Sequence, residues 1–408
     1  MNKASSALAL VAACAIFAHG TASAYAKPDH ARSGSKSTPT TSVDDTAGST
    51  EDNTAGSTVD NTAGSTVDTT ASLSTSTTYV DDTHASIAGS VVALPGQDYG
   101  YTRYKYDRSK NSATETIDAR LATFHIANSK NSNPTESQPC SVGTLPTQTY
   151  PVQIYNADNA RFVGGLVIGH VPQSSDWRYT YCNSQALFYK YALNGSFDGV
   201  RITSSWDTFG EDSSSGTFNI MNNWATGVRD DFYENDSYRP GTVDDNLVDG
   251  TFQFLSMAGS SDSSSASRTI PVTGNVVRIK ASLYKGTPYF GAILKGNSYS
   301  QRMDFRNNVI AVDAPTGSTW SSYWSGSWSK MSGSCSNNLF LWMSDRAIPS
   351  SVGTIPACFT VLKGAEARAK WAAVKQNWIN CHPKLRREST DPVSRPAECK
   401  ANTFGGYT

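Results

Sequence analysis

The chain has 408 residues, of which 38% are hydrophobic and 17% charged, and its 34 Lys and Arg face 35 Asp and Glu for a net charge of -1. So close a balance gives no electrostatic case for binding nucleic acid or an anionic membrane, and neither partner is expected. Partners are to be sought in shape and local chemistry.

The N-terminus reads as a targeting segment. Lys3 precedes the apolar run ALALVAACAIFA, and the small residues Ala22 to Ala24 follow as a cleavage pattern, so residues 1–24 are expected to be a secretory signal peptide. The run is too short for a mature membrane span, and no later segment is long and apolar enough to cross a bilayer. VAAC, ending at Cys14, also fits a lipoprotein processing box, so lipid anchoring stands as the alternative to a secreted, periplasmic or extracellular protein. Without Cys14 the cysteines are Cys140, Cys182, Cys335, Cys358, Cys381 and Cys399, an even set suited to an oxidising compartment. Pairing neighbours in sequence gives Cys140 with Cys182, Cys335 with Cys358, and Cys381 with Cys399, one of several connectivities. No CxxC or Cys/His spacing suggests zinc, and His125, His170 and His382 read as structural or surface histidines.

Residues 25–78 cannot build a core. From Asp44 the octapeptides DDTAGSTE, DNTAGSTV, DNTAGSTV and DTTASLST repeat small polar residues with almost nothing apolar, which describes a disordered, flexible acidic linker. Residues 79–345 change to alternating apolar, aromatic and Gly/Ser/Asn residues without helical periodicity, which excludes a βαβ fold. Short phrases recur at roughly 20 to 35 residues: NARFVGGLVIG at Asn159, NGSFDGVRITS at Asn194, GVRDDF at Gly227, NLVDGTF at Asn246, NVVRIKASL at Asn275 and RNNVIAV at Arg306. Each unit supplies short strands that bury an inner face only when neighbours stack on it, so a parallel solenoid is expected. In that register Val200, Val228, Val248 and Val277 point inward, while Arg201, Arg229, Asp249 and Arg278 form one outward column.

From about Pro151 to Ser344 the chain resembles the right-handed parallel β-helix of the pectate-lyase-like type. VRDDFYEND with GTVDDNLVDG is similar to a phrase of secreted bacterial β-helix proteins of unassigned activity, and CSNNLFLW at Cys335 resembles their ending. The resemblance implies an all-β solenoid and leaves the reaction open, since one fold hosts many chemistries. Residues 346–385 are expected to form a C-terminal cap. There GAEARAKWAAVKQNWI places Ala367, Trp371, Val374 and Trp378 on one helical face that should cover an open end of the solenoid. Residues 386–408 read as an irregular tail.

The stretch from Gly227 to Gly250 concentrates seven carboxylates against two arginines. Many of its Asp and Asn suit turns, where their side chains bond nearby backbone. Asp207, Asp230 and Asp231, however, fall on successive expected turns and can converge. A glycosidase needs two such carboxyl groups, one protonated and one ionised, and crowding supplies the proton. The spacing resembles that of polygalacturonases, with Asp207 in SWDT, then RDD, GTF at Gly250 to Phe252, and RIK at Arg278 to Lys280. Two features depart from that family: its Gly-His-Gly histidine is absent, and Ser205 stands where an Asn would precede the first Asp. A lyase would use Arg229, Arg278 or Lys280 as base or clamp for a sugar carboxylate, with Ca2+ held across turns by the Asp residues. Arg201, Trp206 and Trp224 complete the expected substrate-binding set. A third class, binding without catalysis, would use exposed aromatics such as Trp320, Tyr323, Trp324 and Trp328, which otherwise pack inside. The expected partner is an acidic extracellular polysaccharide, taken by a monomer.

Overall fold

A computed structural model describes residues 90–386 apart from 109–114, 127–149, 170, 172, 175, 177–184, 213–215, 260–261 and 332–333. The expected signal peptide, linker and tail therefore lie outside the described residues, as do Cys140, Cys182, Cys399, His170 and Trp177.

The architecture is a parallel β-helix with a C-terminal helix. Nine strands from Ser90–Ala93 to Ser334–Ser336 stack into one sheet, and a second, fourteen-stranded sheet carries the remaining strands of the coil. Neighbouring strands in both run parallel, as between Phe218–Met221 and Gly241–Asp244. The coil is right-handed, the hand that parallel crossovers take. The larger sheet is two faces fused. Strands Arg201–Thr203 and Asp207–Asp212 are separate, yet both pair with the single eleven-residue strand Trp224–Glu234, which pairs in turn with Leu247–Met257. At this seam the register shifts between Val228 and Asp231, and again between Asp249 and Thr251. Such bulges bend a strand and re-aim its side chains. Gly250, at φ +94, supplies a backbone conformation there that a side chain would oppose.

Alternation fills the inside. Val200, Val228, Val248 and Val277 are all buried in the core, as the pattern requires. Phenylalanines stack within and between turns, with ring centroids 5.0 Å apart for Phe197 and Phe209 of one turn and 5.5 Å for Phe232 and Phe254 of neighbouring turns. The turns leading into the larger sheet repeat a two-residue device. A residue with positive φ, namely Asn222, Asp245, Gly274, Asn307 or Asn337, precedes a fully buried Asn. Those buried residues, Asn223, Asn246, Asn275, Asn308 and Asn338, form a ladder in which each backbone N–H donates to the Oδ1 of the next, at sequence offsets of 23, 29, 33 and 30. The ladder satisfies buried polar groups that would each cost roughly 1–3 kcal/mol if left unmet.

The expected C-terminal helix is the second of two α-helices among the described residues. Helix α1, Tyr323–Lys330, arises inside the Ser/Gly-rich Trp segment, and helix α2 is Gly364–Cys381. As expected, Ala367, Trp371, Val374 and Trp378 form the buried face of α2. They pack, however, on Leu247, Val276, Val309, Leu339 and Leu341, outward residues of successive turns, so α2 covers the flank of the coil and not its open end. The reason lies in the strands: Val309–Asp313 and Asn338–Trp342 are apolar on both faces, and the outer face needs cover. The coil also extends beyond residue 345, since Phe359–Lys363 pairs parallel with Asn338–Trp342. Cys335 and Cys358 form the expected disulfide, and Cys381 is disulfide-bonded to a residue outside those described.

Candidate functional site

The fused seam gathers the three aspartates. Asp207 opens the strand Asp207–Asp212, while Asp230 lies within the bulge in Trp224–Glu234 and Asp231 ends it. An oxygen from each of the three carboxylates lies within 4.8 Å of the other two. All three side chains are buried, Asp231 to 1% exposure. Backbone bonding holds the geometry: Asp231 N–H donates to Asp207 Oδ1 at 3.1 Å, Asp230 N–H to the Trp206 carbonyl at 3.1 Å, and Arg229 N–H to the Ser205 carbonyl at 3.0 Å. Gln253 Nε2 donates to Asp231 Oδ1 at 2.9 Å. Glu234, also buried, accepts from Gln185 Nε2.

Two cations adjoin the cluster. Lys295 Nζ is 3.9 Å from Asp231 Oδ2, with its side chain 30% exposed. Burial by itself would lower its pKa, but Asp231, Asp230, Asp236 and Glu234 together raise it well above the ordinary lysine value. Arg229 is buried and donates to the Gln173 carbonyl at 2.9 Å. Burial pushes its pKa down to about 10, offset in part by Asp176 and Asp230. Lys295 and Gln253 were not among the residues expected from sequence. Lys295 reaches the seam only because the hairpin Ser282–Tyr284 and Thr287–Phe290 is inserted before the short strand Leu294–Gly296, which pairs with Leu247–Met257.

The expected arginine column does not form. Arg278 is level with Asp249, but Arg201 is level with Trp224 and Leu247, and Arg229 falls within the bulge between Val228 and Asp231. The stacking register is interrupted at the seam, so residues that look equivalent in sequence part company. Arg278 Nε donates to Asp249 at 2.7 Å, and Lys375 of α2 binds the other oxygen of the same carboxylate. Burial pushes the Asp249 carboxyl up, and Arg278 and Lys375 outweigh this to hold it below the ordinary range. Arg201 stacks over the Trp224 ring at 4.0 Å and donates to the carbonyls of Ile202 and Trp224. Burial brings its pKa down to about 10, with Asp249 opposing. Trp206 is fully buried, and Trp224 meets Trp378 of α2 edge-on at 6.3 Å, so neither presents an open ring. Lys280 is exposed; a Cβ at Gly250 would stand 3.6 Å from the Arg278 guanidinium and 3.7 Å from Lys280 Cδ, so the RIK segment borders the bulge. The tryptophan platform is not a surface either: Trp324 is fully buried, Trp328 is 8% exposed, and Trp320 stacks on Phe290 at 4.4 Å.

The carboxylate spacing suits oxygens around a Ca2+ ion, whose ligands stand about 2.3–2.6 Å from the metal. Lys295 already brings a positive charge to the same carboxylates, so an ion there would have to compete with it.

No family model, curated protein or solved structure matches this chain.

Proposed function

We propose that the protein is a secreted, pectate-lyase-like β-helix enzyme that hydrolyses glycosidic bonds in an acidic extracellular polysaccharide at Asp207, Asp230 and Asp231. The observation that carries this reading is the convergence of three buried carboxylates from successive turns to within 4.8 Å. Crowding three carboxylates into one patch is the arrangement by which a glycosidase keeps one of them protonated, and among the described residues Lys295 and Arg229 adjoin them. One carboxyl donates that proton to the glycosidic oxygen as the C1–O bond breaks. An ionised neighbour takes a proton from the water whose oxygen bonds to C1, so the cluster regains the proton it gave and water is added across the bond.

Hydrolysis is favoured over elimination because the site gathers three carboxylates, while Arg278, one of the cations a lyase would use, is held by Asp249. Lys295, Arg229 and the exposed Lys280 supply positive charge for a uronic acid carboxylate. Binding without catalysis loses support with the burial of the tryptophans on which it relied.

The test is incubation with a panel of uronans and neutral polysaccharides, following new reducing ends and unsaturated-product absorbance separately. New reducing ends without unsaturated product, on uronans alone, are expected. Unsaturated product would assign a lyase, cleavage of neutral glycans alone would remove the acidic substrate, and no cleavage of any glycan would end the enzymatic reading.

A further inference from the structure

A cavity of about 240 Å3 lies between helix α1 and the loop that follows the strand Leu294–Gly296. Gly296, Asn297 and Ser298 line it on one side, and Tyr323, Gly326 and Lys330 on the other. The last three recur at spacings of three and four residues and so share one face of α1. Neither Lys295 nor any of the three aspartates lines the cavity, which is therefore separate from the seam.

Both walls are tied down. Asn297 N–H donates to Ser300 Oγ at 2.7 Å, and Asn297 Oδ1 accepts from Tyr299 N–H at 2.8 Å and from the Tyr238 hydroxyl at 2.9 Å. On the other side, Ser327 Oγ of α1 accepts from Leu294 N–H at 3.0 Å. Lys330 spans the gap, its ammonium donating to the carbonyls of Ser298 and Ser300 at 3.2 and 2.6 Å. A cavity walled in this way is preformed, and a ligand entering it has little chain to order.

The lining selects a class of ligand. Tyr323 is half-buried against the core and supplies an aromatic wall, the contact that a sugar ring uses. An ammonium has three donors, and the two carbonyls take two of those of Lys330. Burial and the neighbouring Arg302 both lower the Lys330 pKa, so its charged form gains from an anion. Ser298, exposed at the rim, offers a hydroxyl to those of a sugar. The volume falls below the roughly 300–1,000 Å3 of pockets for drug-sized molecules, which suits a single ring and excludes an oligosaccharide.

We propose that this cavity is a second carbohydrate site, which takes one uronic acid residue with its carboxylate on Lys330 and its ring against Tyr323. The choice of a uronic acid rests on the acidic polysaccharide of the proposed function; the site itself depends neither on hydrolysis nor on the aspartates. Holding one residue of a polymer away from the seam adds avidity to the grip on the rest of it.

The test titrates galacturonic acid, glucuronic acid, glucose and inorganic phosphate separately into wild type, Gly326→Leu and Lys330→Met. Binding is followed by calorimetry and by the NMR signals of the Tyr323 ring, assigned with Tyr323→Phe. A Cβ added at Gly326 would meet nothing within 4 Å, so leucine there fills the cavity while favouring the helix, and the melting temperature should hold or rise. Saturable binding of a uronic acid that shifts the Tyr323 ring is expected, weakened about tenfold or more in both variants and for glucose. No binding of either acid, or binding that Gly326→Leu leaves unchanged, overturns the inference. Phosphate binding as tightly as the acids overturns it too, since the cavity would then be an anion site only. Should Lys330→Met not fold, because the lysine also ties the loop, Gly326→Leu and the Tyr323 signals decide. A protein that binds a uronic acid here but cleaves no glycan loses the proposed function and keeps this site, and one that cleaves uronans without such binding does the reverse.

Discussion

The same two long strands, Trp224–Glu234 and Leu247–Met257, carry two buried charge clusters of opposite balance. Ahead of the bulge, Asp249 is answered by Arg278 and Lys375, with Arg201 nearby, and α2 covers the group. Beyond it, Asp207, Asp230 and Asp231 gather, with Lys295 and the buried Arg229 beside them among the described residues. A buried carboxylate held by two cations is costly to break, whereas crowded carboxylates are where pKa values shift and functional sites are to be sought. The difference separates residues that look alike in sequence, since Asp249 stands just before a register shift and Asp231 just after one.

Breaking the unbalanced cluster should have the largest effect. Asp231→Asn, which keeps size and shape, is expected to lower kcat by about 10²–10⁴-fold with the melting temperature little changed, measured on the uronan that wild type cleaves. Equal activity in the folded variant would return Asp231 to a structural role. Removing the cover of the balanced cluster comes next. Trp378→Ala should cost about 3–5 kcal/mol in urea unfolding, since a fully buried ring on α2 is deleted. A loss below 1 kcal/mol would mean that α2 is not packed as described.

Asp249→Asn sharpens the contrast further. It should cost about 1–2 kcal/mol, less than a deeply buried pair because Arg278 and Lys375 are 23% and 34% exposed, and leave kcat within about twofold. A hundredfold loss of activity would instead join the two clusters into one site. The smallest effect is pH-dependent. The folded Asp249 pKa is depressed below its ordinary 3.8, so its contribution is present above that value and lost as pH falls through the lower folded value. Wild type should therefore lose slightly more stability than Asp249→Asn between about pH 4 and pH 2 in acid unfolding curves. Parallel curves would remove Asp249 from the acid response.

The order of residues along the chain determined the solenoid, its inward valines, the apolar face of α2 and the disulfide between Cys335 and Cys358, because alternation, helical period and short loop closure are local properties. It also contained the asparagine ladder, as a buried Asn after a positive-φ residue, although the eye follows Asn159 and Asn194, which pair with each other at a different corner. Asp207, Asp230 and Asp231 were legible because they recur one turn apart, and one turn of stacking brings them together. Tertiary structure alone decided the rest. The seam bulges broke the arginine column, the outward apolar residues drew α2 onto the flank, and the hairpin before Leu294–Gly296 delivered Lys295 to Asp231. Each of these depends on where loops of unequal length return the chain, and strand periodicity carries no information about that.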